Sequence, residues 1–110
     1  MKKSNIKVNV VLDDNKVPEL LTWSASDVGD DEKQTKAVNI SIWDHVSRET
    51  LKMDLWSKDM SLDEMKIFYV DMVGSMAETL RHATNDSDLA QILDDAGKEM
   101  MNHIEANLGK

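Results

Sequence analysis

Between Trp56 and Ser61 the apolar residues of this chain change their spacing, and that switch limits the fold more than any other feature. Upstream they fall at every second position: Ile6, Val8, Val10 and Leu12, then Val38, Ile40 and Ile42, then Leu51, Met53 and Leu55. Successive side chains of a strand point to opposite faces, so period two marks strands with one covered face. Downstream, Leu62, Met65, Tyr69, Met72, Val73, Met76 and Leu80 recur at steps of three and four, which predicts an amphipathic helix of about six turns.

Local signals place the boundaries. Asp13, Asp14, Asn15 and Lys16 supply turn residues, and Pro18, which lacks an N–H for a ladder, puts the second strand at about 19–23 with Trp23 in the core. Residues 24–35, SASDVGDDEKQT, have no apolar period and read as a solvated, mobile acidic loop. Ser61 followed by Glu64 forms a capping box, in which each side chain accepts from the other residue's backbone N–H. Residues 84–88, TNDSD, end the first helix. A second stripe follows, through Leu89, Ile92, Leu93, Ala96, Met100, His103 or Ile104, and Leu108, and stops at Gly109.

The expected fold is α+β: a four-stranded, mostly antiparallel sheet within residues 5–57, followed by two amphipathic helices, 61–83 and 87–108, packed on one face of it. A length of 110 residues with a single proline fits one domain, 1–110. Size scaling has about two-thirds of such a chain's surface buried on folding.

Composition removes several classes of function. With no cysteine, disulfides, thiolate chemistry and Cys-based zinc sites are excluded. A net charge of -8 with no basic cluster argues against nucleic acid and anionic lipid as partners. The opening MKKSNIKVNV has no apolar signal region, and no stretch approaches the roughly 18 apolar residues of a membrane span. A cytoplasmic protein is the expectation.

Catalytic groups are scarce. His45, His82 and His103 fall in a hairpin loop, near a helix end and in the last helix, with no reason to converge. Asp30, Asp31 and Glu32 beside Gly29 do not have the spacing of a calcium-binding loop, and Glu99 with His103 makes a single pair one helical turn apart. Asp44 and Asp54 are not in register for paired acid–base work. Neither an enzyme nor a cofactor is expected. The methionines of the first helix, at 65, 72 and 76, are needed to cover the sheet, although such surfaces also adapt to partners.

Trp43 and Trp56 stand apart. They share the polar parity of their strands, with Asn39 and Ser41 and with Lys52 and Asp54, and so point away from the predicted core at opposite ends of the hairpin. Such indoles either bind another protein or wrap a sheet edge to close the core, and parity alone leaves both open.

SIWD at 41–44, TLKMDLWSKDM at 50–60, DEMK at 63–66 with Phe68 and Tyr69 close behind, and AETLRHAT at 77–84 are in the order and spacing of a known family. With the opening KKSNIKVNVVLDDNKVPELLTW they make nearly the whole chain resemble the small gliding motility protein family GldC of the Bacteroidetes lineage. The resemblance implies a small accessory protein of the gliding machinery, apparently cytoplasmic, with no assigned reaction, cofactor or catalytic residue. The leading expectation is a non-enzymatic interaction protein that meets a protein partner through the open sheet face and the 56–61 corner, with Trp43, Asp54, Trp56 and Lys58 as contact residues. A homodimer through the same face is equally consistent. The rivals are a small acidic chaperone or adaptor for a secretion or motility component and, behind it, a metal-binding protein or enzyme using Glu99, His103 or the acidic loop.

Overall fold

The computed structural model describes residues 2–29 and 31–108; Asp30 of the acidic stretch and Gly109, the expected end of the second helix, lie outside them. The chain divides into two compact units, Met1–Met60 and Ser61–Lys110.

Among the described residues the first unit holds five strands in two antiparallel sheets, where the sequence suggests four strands in one. β1 (Ile6–Leu12) and β2 (Pro18–Ala25) pair with Val8 opposite Trp23 and Val10 opposite Leu21. The turn between them is built on Asp13, whose carboxylate accepts from the N–H groups of Asn15 at 2.8 Å and Val17 at 3.0 Å while Lys16 takes a left-handed φ of 63°. Pro18 is itself the first residue of β2, a position where no ladder donor is needed. Leu21 is fully buried, which is worth about 1.5–3 kcal/mol to folding.

The acidic stretch is more ordered than its composition suggests. β2 runs on to Ala25, a single 3-10 turn covers Ser26–Val28, and β3 (Lys33–Thr35) pairs with β2. Polar contacts replace apolar ones there: Ser4 donates to Asp27, the Asn5 N–H donates to the Ser26 hydroxyl, and the Asn9 amide donates to Glu32. Lys33 lies opposite Trp23 in the ladder and sets its ammonium 4.9 Å from the indole, so Trp23 is half-buried under a cation instead of sitting in an apolar core.

β4 (Ala37–Trp43) and β5 (Thr50–Trp56) form the second sheet, with Ala37 opposite Trp56 and Trp43 opposite Thr50. Val38, Ile40 and Ile42 share one face with Leu51, Met53 and Leu55, as their parity predicts. The expectation that this face is core fails in part, since Ile42, Leu51 and Met53 are each more than half exposed. Lys36 separates β3 from β4 and lets one run of chain serve both sheets.

In the second unit, α1 (Leu62–Thr84) and α2 (Ser87–Ala106) form an antiparallel hairpin. The Ser61–Glu64 capping box is present, with both reciprocal bonds at 3.0 Å. Asn85 stops α1 in a left-handed conformation with its N–H on the Arg81 carbonyl, and Asp86 caps α2 by accepting from Leu89 N–H. The helices meet at small residues: Ala77 and Ala90 are fully buried, and Val73 lies against Gly97. Arg81 and Asp94 bridge them at 2.9 Å. Of the two candidates for the α2 stripe, Ile104 is half-buried and His103 exposed. Among the described residues no helix is long and apolar enough to cross a membrane.

Candidate functional site

The corner that follows β5 is built around Ser57. A polar residue buried to this degree must find partners, and Ser57 makes three contacts to two of them: its N–H donates to the Lys36 carbonyl at 2.8 Å, its hydroxyl lies 3.3 Å from the same oxygen, and the hydroxyl also bonds the Asp59 carboxylate. The next N–H, of Lys58, donates to the Pro18 carbonyl at 2.9 Å. These bonds fasten the end of β5 to the joint between β3 and β4 on one side and to the start of β2 on the other.

Lys58 is held there by charge as well. Its ammonium lies 3.2 Å from Asp13 and 3.4 Å from Glu19. The hydrogen bonds to Asp13 and then Glu19 push the Lys58 pKa upward. Asp13 moves the opposite way, below the ordinary carboxylate value, chiefly because the Val17 N–H bonds its anion and then because Lys58 does.

Three of the four residues singled out by sequence come together around this corner. Asp54, Trp56 and Lys58 border a shallow depression of about 290 Å³ whose other wall is Val17 and Pro18. Trp56 therefore sits at a sheet edge, yet 52% of it remains exposed. Asp54 is 2.8 Å from the Lys52 ammonium. Trp43 does not join them: six register steps along the hairpin, roughly 20 Å at strand rise, separate it from the level of Trp56, and it is 66% exposed. The sequence pattern gives the parity of both indoles but misses Val17, Pro18, Asp13 and Glu19, which approach from a different hairpin and leave no periodic trace.

The remaining candidates are dispersed. Asp44 closes the β4–β5 turn, accepting from the N–H groups of Ser47 at 2.7 Å and Val46 at 3.2 Å, and the Ser47 bond lowers its pKa. His45 lies in that turn and His82 at the end of α1, both exposed. Glu99 and His103 border a groove of about 640 Å³ between α1 and α2, floored by Met65, Tyr69 and Met100. Among the described residues, which do not include Asp30, no three His, Asp or Glu side chains are grouped to hold a metal ion.

Residues 18–106 match the protein family described as gliding motility-associated protein GldC-like. The chain belongs to the GldC-like family. Neither a curated protein nor a solved structure matches it. The GldC-like match begins at Pro18, so it takes in the whole corner at Ser57, the β4–β5 hairpin and both helices, and leaves out β1. As a member of the GldC-like family, the chain is a gliding-motility-associated protein.

Proposed function

We propose that this GldC-like chain is a non-enzymatic accessory protein of the gliding machinery that works by protein contact through the polar-parity face of the β4–β5 hairpin and the corner behind it. The observation that supports this reading is the exposure of two indoles, 66% for Trp43 and 52% for Trp56, on a face otherwise polar. Large aromatics bury much area at little entropic cost, and removing such an anchor from an interface costs about 2 kcal/mol or more. Between them Lys52 and Asp54 form an ion pair, which adds direction and little affinity. Lys58 serves this reading differently from the expectation: it is committed to Asp13 and Glu19, so it holds the corner in shape for Trp56 and is not an open cation.

The test is the pair Trp43→Ser and Trp56→Ser, singly and together, introduced into the chain in its native host. Affinity for a specific partner recovered by capture is expected to fall about thirtyfold or more for each single change. Unchanged recovery and unchanged solution mass, in a protein whose circular dichroism matches the parent, would sink the proposal.

A further inference from the structure

The α1–α2 hairpin has more apolar surface than two helices can cover on each other. Going round α1, the side that meets α2 carries Val73, Ala77 and Leu80, but the apolar arc continues through Met65 and Met76 to Phe68 and Met72. On α2 the arc continues likewise from Leu93 and Ile104 through Met100 to Leu89 and Ile92. In an antiparallel pair these extensions lie on the same side, and there the two helices border the groove of about 640 Å³. Beyond the groove, toward the connection between the helices, the same apolar arc stays open, with Met76 55% and Ile92 66% exposed.

Both outer edges of this face are acidic. Glu64, Asp71 and Glu78 follow one another at seven-residue steps along the far edge of α1, and Asp88, Asp95 and Glu99 line the far edge of α2. Residues 61–110 hold ten acidic and four basic side chains, and so six of the chain's eight net negative charges. A second copy laid on this face would set acidic edge against acidic edge, which like-charge repulsion opposes. The charge selects an occupant that is apolar along its middle and basic along both flanks.

We propose that the open face of the α1–α2 hairpin is a docking surface for a cationic amphipathic helix of another protein, seated in the groove as a third helix. The floor suits such a guest: methionine side chains re-pack around varied apolar anchors, and a helix presents those anchors at three- and four-residue spacing. This surface is made by residues of the second unit and the indole face by residues of the first, so substitutions test each by itself.

The probe is a labelled synthetic peptide of leucine and lysine, about 18 residues and about 27 Å long as a helix, with leucine on one stripe only. Fluorescence anisotropy against the full chain is expected to show binding that weakens steeply between low salt and about 0.5 M. The same stripe with glutamate for lysine is expected not to bind. Met76→Ser with Ile92→Ser is expected to weaken binding about tenfold or more, as is the rim variant Asp71→Lys with Asp95→Lys, which leaves the apolar positions intact and reads the surface even where the first pair disturbs folding. The proposal is overturned if the leucine–lysine peptide does not bind, if a scrambled peptide of the same composition binds as tightly, or if neither variant weakens binding. It is equally overturned if the chain sediments as a dimer that Met76→Ser and Ile92→Ser dissociate, since a second copy then occupies the face.

Discussion

Single residues carry opposite lessons about what can be read in advance. Ser61 was legible because a capping box is a local pattern, and its two bonds form as the spacing requires. Replacing Ser61 with Ala is expected to cost about 1 kcal/mol in urea unfolding. Lys58 was legible as a charge near an indole but not as a clasp, because Asp13 lies 45 positions away in the chain. That clasp makes a pH prediction. The Asp13 carboxyl titrates below its ordinary value of 3.8 in the folded chain, so its contribution is fully present above 3.8 and is lost as pH falls through the lower, folded value. Lys58 titrates above 10.5, so its share is complete below 10.5 and fades only as pH rises past the folded value. Urea midpoints taken from pH 6 down to pH 3 should fall less steeply for Asp13→Ala than for the parent, and a parallel pair of curves would remove Asp13 from the account.

At the level of elements, the periodicities located the longer strands and both helices to within a residue or two at most ends, because each buries one face and writes that face into the sequence. β3 escaped notice for the same reason. Lys33, Gln34 and Thr35 bury no apolar stripe, and their place in a sheet depends on β2 being there to pair with them. Period two predicts that Ile42, Leu51 and Met53 share a face, which they do, but period alone does not bury that face, and each is more than half exposed. Leu21→Ala should therefore cost about 3 kcal/mol, with a cavity left behind, while Ile42→Ala should cost about 1 kcal/mol. In α1, a Cβ added to Gly74 meets nothing within 4 Å, so Gly74→Ala should raise stability by about 0.5–1 kcal/mol, measured as a higher denaturation midpoint.

For the whole molecule, membership of the GldC-like family supplies the association with gliding, and the distribution of charge and exposed apolar surface supplies the physical constraints on how that association works. The site was half legible: strand parity exposed Trp43 and Trp56, whereas the open face of the helical hairpin needed the angles of both helices at once. A net charge of -8 opposes self-association of a chain with this much exposed apolar surface. Light scattering should accordingly rise as pH is lowered toward the isoelectric point near 4.7 and fall again when added salt-free buffer restores pH 7.

The connection between the helices has a consequence for how such a chain changes its assembly over evolutionary time. Only Asn85 and Asp86 stand between α1 and α2, and the reversal depends on Asn85 holding a φ of 59° that β-branched residues resist. Asn85→Val would favour letting α1 run straight on into α2, so that the second half of the hairpin is recovered only from another chain. Intertwined dimers, visible as a hairpin exchanged between two chains at unchanged helix content, are then a single substitution from the hairpin closed within one chain.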